Sequence, residues 1–231
     1  MLYCFFDSET TGLPNFSVQA ENHTEHPGIA QLAAALVDDS RKLVASMNVI
    51  INQPEGIIIS DEAVAVHGIT RGMMTESGIS GKLAMRMFLE LVNKADTIVG
   101  HNASFDKKMV RTDLHRHGFG EHAEAFRAKP TECTMKLADP IMKMAPTQRM
   151  LAAGFTKSKP PKLEEAYEHF MGKPMENAHD AWADVKATID VFFAVKETGA
   201  GVAAPPVQSP FAPRETSVPE FGGTPKKVEI V

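Results

Sequence analysis

Leu2-Tyr3-Cys4-Phe5-Phe6-Asp7-Ser8-Glu9-Thr10-Thr11-Gly12-Leu13 is the stretch on which the reading of this chain turns. Leu2 to Phe6 is a continuous apolar run of strand length, the pattern of a strand buried on both faces. Side chains two apart on extended backbone share a face. Asp7 and Glu9 therefore project side by side at the end of this strand. Two adjacent carboxylates repel each other unless a positive charge sits between them. Oxygen ligands favour hard cations such as Mg²⁺ or Mn²⁺. A solvated turn after a strand is the plainer explanation of the same letters, and the Thr10-Thr11-Gly12-Leu13 continuation weighs against it.

Working outward, Ile29 to Val37 and Leu43 to Ile51 read as two further strands, joined through a turn at Asp38-Asp39-Ser40-Arg41. Ser60-Asp61-Glu62-Ala63 opens a short helix ending near His67-Gly68. Ser80 to Asn93 places Leu83, Met87, Phe88 and Leu91 at helical spacing. Thr97 to Gly100 reads as a strand and Ala103 to His117 as a helix stopped by Gly118. Lys162 to Met171 forms another helix, ended by Gly172. The last helix runs from about Ala178 to Glu197, with Ala181, Val185, Ile189 and Phe192 on one face. Strands followed by strands mixed with helices predict an α/β domain with a mixed sheet.

Two more motifs carry candidate chemistry. His101-Asn102-Ala103-Ser104-Phe105-Asp106 lies where a strand hands over to a helix. Asn102 is a candidate N-cap, and Asp106 falls in the first turn, where an acid also simply complements the helix dipole. His179-Asp180-Ala181-Trp182-Ala183-Asp184 opens the last helix. Five positions turn a helix by about 140°, so His179 and Asp184 do not share a regular face. His179 is expected at the frayed start, and Asp184, next to Val185, at the rim of the apolar face. Asp180 as an ordinary helix-start acid is the plainer alternative.

Together and in this order, the three motifs resemble those of the DEDDh, or DnaQ-like, 3′–5′ exonucleases of the ribonuclease H-like superfamily, which includes bacterial polymerase proofreading subunits. The resemblance covers most of Met1 to Thr198, including Val66-His67-Gly68-Ile69-Thr70 between the first two motifs. It implies a ribonuclease H-like mixed β-sheet flanked by helices. It implies that Asp7, Glu9, Asp106 and Asp184 bind two divalent metal ions, Mg²⁺ or Mn²⁺, with Asp7 bridging both. His179 is then the general base, and a histidine there marks the DEDDh rather than the DEDDy branch. A histidine ordinarily titrates near pH 6.5, which suits proton abstraction at neutral pH. Thr10, Thr11 and Leu13 match the loop that holds the terminal nucleotide, with Asn102 and Phe105 on the opposite wall. Leu13 and Phe105 also have core packing as an alternative.

The implied activity is release of 5′-mononucleotides from DNA 3′ ends, in proofreading, repair or DNA turnover. Trimming of RNA ends by the same fold is the alternative, and a nucleic-acid-binding module without catalysis a third. The Ile29 to Thr70 stretch resembles proofreading-type members, which favours DNA.

The bulk numbers are compatible. The chain has 231 residues, 43% hydrophobic and 23% charged, ordinary for a soluble globular protein. A net charge of −5 is not that of a typical nucleic-acid-binding domain, but a two-metal site needs clustered acids. Cys4 and Cys133 lack metal-ligand spacing, so a reducing cytoplasm is the expectation. No run approaches a membrane span. Lys107, Lys108, Arg111 and Arg116 on one helix, and Lys157, Lys159 and Lys162 in a Pro-containing stretch, are candidate phosphate contacts or solvated charge. A zinc site from His23 and His26, or from His115, His117 and His122, is disfavoured because no cysteine accompanies them. Residues 199–231 hold six of the fifteen prolines and four glycines without periodicity. They read as a disordered tail, a candidate tether to a replication or repair protein, after an exonuclease domain over residues 1–198.

Overall fold

The computed structural model describes residues 1–199. Six strands form one mixed sheet: β1 (Leu2–Thr10), β2 (Ile29–Asp38), β3 (Leu43–Asn52), β4 (Ile79–Ser80), β5 (Thr97–Gly100) and β6 (Thr131–Cys133). Their spatial order is β4-β3-β2-β1-β5-β6. The first three strands form an antiparallel meander, with Asp38 accepting from the N–H groups of Ser40 and Lys42 at the predicted turn. β5 and β6 then add in parallel at the other side of β1.

β1 is longer than the apolar run predicts. It stays paired with β2 through Thr10 opposite Ile29, with a register shift between Glu9 and Thr10. Asp7 and Glu9 are therefore inside the strand, not beyond it. Ladder hydrogen bonds to β2 carry the chain past the last apolar residue.

The period-2 alternation of β1 and β2 splits the core into two layers. Cys4, Phe6, Leu32, Ala34 and Leu36 face α3 (Gly81–Lys94) and α4 (Ala103–Arg116). Tyr3, Phe5, Ala33, Ala35 and Val37 face α9 (Ala181–Gly199), which presents Ala181, Val185, Ile189 and Phe192 as expected. Asp7 and Glu9 continue the odd-numbered row, towards α9, while Ser8 points to the α4 side.

α1 (Asp61–His67) has Ser60 as its N-cap, whose hydroxyl accepts from Ala63 N–H, and Gly68 in left-handed backbone as its stop. α8 (Leu163–Met171) ends the same way at Gly172. In α3 the buried face is Ala84, Met85, Phe88, Leu89, Leu91 and Val92, whereas Leu83 and Met87 are exposed. That corrects half of the expected stripe: Phe88 and Leu91 lie on the buried face, whereas Leu83 and Met87 lie off it. The structure adds α2 (Arg71–Ser77), α5 (Gly120–Ala128), α6 (Thr134–Met142) and α7 (Gln148–Ala152), none of which the periodicity reveals. α9 begins at Ala181 rather than Ala178 and continues to Gly199. The expected tail otherwise lies outside the described residues. No helix among those described is long and apolar enough to cross a membrane.

Candidate active site

The three motifs meet at the C-terminal end of β1, an interior strand of the sheet, around a cavity of about 1020 Å³ walled by Asp7, Glu9, Asp106, His179 and Asp184. Each acid arrives from a different cause. Asp7 and Glu9 come from the strand alternation. Asp106 stands in the first turn of α4, and Asp184 in the first turn of α9. All four carboxyls titrate above their ordinary range, and burial is the largest cause for each. Glu9 is pushed up to about 8, with added repulsion from Asp184, Asp106 and Asp180. Asp7, facing Asp106, Asp184 and Glu9, is also held well above the usual carboxylate range. Asp106 rises to about 7 even though Ser8 donates to it twice. Asp184 rises to about 7 by burial, against the His179 backbone N–H and with repulsion from Glu164, Asp180 and Asp106.

Such a cluster is unstable when fully ionised without counter-charge. Asp184 Oδ1 is buried with no hydrogen-bond partner, and one ligand atom each of Glu9, His179 and Asp184 lie within 4.8 Å of one another. The four carboxylates alone form an all-oxygen set, and with one buried oxygen unsatisfied they fit a hard divalent cation.

His179 lies outside α9. It has φ 67° and follows Asn177 at φ 54°, two left-handed residues in three. Its side chain is 51% exposed, and Nε2 is 3.8 Å from Glu164 Oε1. Asp180 opens the helix instead: its Oδ1 accepts from Ala183 N–H at 2.9 Å. Gln31 of β2 fastens this start from below. Its Nε2 donates to Asp180 Oδ2 at 3.0 Å and its Oε1 accepts from Ala181 N–H at 3.2 Å. Asn102 precedes α4 but its side chain makes no cap bond, because the residue is left-handed, at φ 58°. This corrects the capping expectation. Side chain and backbone donors are angled apart there, and Asn102 lines the cavity instead.

The proposed nucleotide-side residues divide. Thr10, Leu13, Asn102 and Phe105 line the cavity. Leu13 is 87% exposed, which excludes core packing. Phe105 is partly buried against the core and meets the ring of Phe16 at 6.4 Å. Thr11 does not line it. It is buried, and its hydroxyl accepts from Gly28 N–H at 3.0 Å, so it anchors the loop from beneath.

Four residues of the site have no signal in the motif spacing. Ser8 donates from its hydroxyl and its backbone N–H to Asp106 Oδ1, at 2.7 and 3.0 Å, leaving the other oxygen for the cavity. His67 Nδ1 accepts from Ile69 N–H, so its Nε2 carries the proton and donates to Thr10 O at 3.1 Å. His101 Nε2 donates to Pro161 O and its Nδ1 accepts from the Thr134 hydroxyl, at 3.0 and 2.9 Å. Burial holds both histidines below their ordinary pKa. Glu164, at the start of α8, faces His179 and Asp184.

The cations of α4 are engaged elsewhere. Lys107 donates to Arg127 O and Thr131, and Lys108 to Val18 O. Arg111 pairs with Glu124, and Arg116 with the buried Asp113 and three loop carbonyls. Lys108 and Arg116 brace the loop before β2, while Lys107 and Arg111 tie α4 to α5 and β6. In the second cluster Lys159 pairs with Glu165, and Lys162 lines the cavity.

The sheet order and the acids gathered at the end of its interior strand β1 are those of a ribonuclease H-like nuclease. A family model named RNase_T and described as exonuclease matches residues 4–192, so the chain belongs to this DEDDh exonuclease family and is a nuclease, a hydrolase. Members of the family use divalent metals. Among curated proteins none matches in sequence. Among solved structures, E. coli exonuclease I in complex with a dT13 oligonucleotide is 20% identical with TM-score 0.66, over 85% of this chain and 41% of that one. The zinc-bound form of the E. coli ExoI–ssDNA complex is 21% identical with TM-score 0.64, over 85% and 40%. Exonuclease I from Methylocaldum szegediense, described as moderately thermophilic, is 23% identical with TM-score 0.64, again over 85% and 40%. The chain thus spans about two-fifths of the length of these structures, and the likeness concerns the fold.

Proposed function

We propose that this protein removes nucleotides from the 3′ end of single-stranded DNA, releasing 5′-mononucleotides, with residues 1–198 as the catalytic unit. The observation that carries the reading is the convergence of Asp7, Glu9, Asp106 and Asp184, two of them buried, two partly buried and all titrating high, on a cavity that also holds His179. Asp7, Glu9, Asp106 and Asp184 would hold two divalent cations, Mg²⁺ or Mn²⁺. When bound, such ions neutralise the acids and stabilise charge on the attacking and leaving oxygens of an in-line displacement.

The chain's own residues do the rest. Ser8 fixes one oxygen of Asp106. Gln31 and Asp180 fix the start of α9 and so the aim of Asp184. His179, standing free of the helix, accepts the proton of the water that attacks phosphorus. The bond from phosphorus to the 3′ oxygen breaks, and the phosphate stays on the 5′ side of the released nucleotide. Leu13 and Phe105, on opposite walls, wedge and stack on the terminal base without reading its identity. The rigid Thr10–Leu13 loop, tied by Thr11 and His67, is where a 2′-hydroxyl would be sensed.

The test compares end-labelled single-stranded DNA and RNA of one sequence with purified protein and Mn²⁺. Stepwise loss from the 3′ end is expected, faster on DNA and abolished by EDTA. Undiminished cleavage in EDTA contradicts the metal role, and faster trimming of RNA reassigns the substrate.

A further inference from the structure

We infer that the protein carries a second, phosphate-binding site, apart from the carboxylate cavity, where the end of β3, α2, the start of α3 and the end of α4 meet. A hollow of about 430 Å³ opens there, walled by Gln53, Arg71, Thr75, Ser80, Lys82 and His117. Three buried polar atoms in its wall have no hydrogen-bond partner: Arg71 Nη1, Gln53 Oε1 and His117 Nε2. A buried polar atom left unpaired is costly, and three around one hollow are groups held ready for a ligand.

His117 is the most informative. Its side chain is only 10% exposed. Its Nε2 lies against the first residue of α3, where a Cβ on Gly81 would approach it to 2.1 Å. Gln53 is 2% exposed, and its amide nitrogen is committed to Ile29 O and Asp113, which leaves Oε1 for the hollow.

The donors and charges select an anion. Arg71 and Lys82 make no ion pair among the described residues. The positive end of α3, a helix of 14 residues, opens on the same hollow, with Ser80 as its N-cap. Phosphate is the anion whose geometry suits a guanidinium beside a helix start. Glu55, also on the wall, is exposed and free to turn to solvent. Asp113 stands behind His117, 3.9 Å from Nε2, but it is already held by Arg116, Gln53 and Ile29 N–H. Gln53 Oε1 is an acceptor and does not contact the anion; an exocyclic amino group of a neighbouring base can donate to it.

Position names the source of the phosphate. α4 has Asp106 in its first turn and His117 at its end. Between them the helix advances about 16 Å, and a stacked strand rises about 3.4 Å per nucleotide. A strand that has its 3′ end at the carboxylates and follows α4 brings a phosphate about five nucleotides upstream to this hollow. This assignment rests on the proposed 3′-end reading; a free nucleotide offers the same chemistry.

Binding in EDTA tests the site without any need for catalysis. The wild type, Arg71→Ala and Lys82→Ala are titrated with inorganic phosphate, 5′-dAMP, dT3 and dT12, following the His117 ring resonances and the affinity. The expected result is a His117 shift with dT12 and not with dT3. Arg71→Ala should weaken dT12 binding about tenfold and lower the salt slope by about one. Lys82→Ala, on an exposed residue, should do the same to a smaller degree. If 5′-dAMP or phosphate moves His117 as strongly as dT12, and Arg71→Ala removes that shift, the site stands and its ligand is a free nucleotide. A His117 signal unmoved by every probe, or unchanged affinity in both variants, overturns the inference whether or not the protein degrades DNA.

Discussion

His179 stands two residues before the first turn of α9, in left-handed backbone, with half its side chain in solvent. Asp184 and Glu9 are each fixed by their own helix or strand, as proposed metal ligands should be. A proton carrier gains from freedom to approach and leave. Yet Glu9, Asp184 and His179 also lie close enough together to share one ion, so the two roles need separating by measurement. His179→Ala should lower kcat by about 10²–10⁴, the value of a lost general base. Mn²⁺ affinity, followed by calorimetry, should stay within about threefold, because four carboxylates remain. A parallel collapse of Mn²⁺ affinity would make His179 a ligand. Asp7, Glu9, Asp106, His179 and Asp184, which line one cavity, were singled out in the sequence by three motifs taken together and by their resemblance to those of DEDDh exonucleases. Ser8, Gln31, His67 and His101 were not. Each acts through a partner far along the chain, such as Ser8 on Asp106 or Gln31 on Ala181, and local spacing carries no trace of such a bond.

At the scale of elements, the long strands and the helices with clear stops were visible, since Gly68 and Gly172 end α1 and α8 in left-handed backbone. The short elements were not. α7 has five residues, and α6 carries Pro140 within it. Pieces of that length are set by packing more than by propensity. The joint from α2 into β4 is another case. A Cβ at Gly78 would meet Met74 O at 2.2 Å and Asn52 N at 2.6 Å. Both are backbone atoms and cannot swing aside, so the glycine is required by close approach. Gly78→Ala should cost about 1–3 kcal/mol, as overpacking does, read as a lower urea midpoint with an unchanged slope. A midpoint equal to wild type would show that the joint is loose. The same joint leads directly into the start of α3, so the variant should also disturb the hollow at Arg71 and His117.

Over the whole molecule, the three layers converge their charge on one spot. The folded protein holds Glu9 at about 8, and Asp106 and Asp184 at about 7, whereas an unfolded chain ionises these acids near 4. Folded-state pKa values above the unfolded ones mean that the native state binds more protons between these limits. Stability is therefore greatest at the acid end of that window and falls as pH rises through the folded values. In EDTA the melting temperature should drop steadily from about pH 5 to pH 8. Mn²⁺ at about a hundred times its Kd should restore roughly 5–10 °C at pH 8 and much less at pH 5. A melting temperature that rises with pH in EDTA would mean that the carboxylates are not mutually strained.

The central claim is that these buried acids are the working part of a nuclease acting from the 3′ end, and one comparison meets it directly. Single-stranded DNA labelled at its 5′ end is incubated with Mn²⁺ and either wild-type protein or Asp7→Ala, and the products are resolved by length. A ladder shortening from the 3′ end is expected with wild type, slowed about 10³-fold or more by the substitution. Equal degradation by both proteins, or release of the label as the first product, would contradict it.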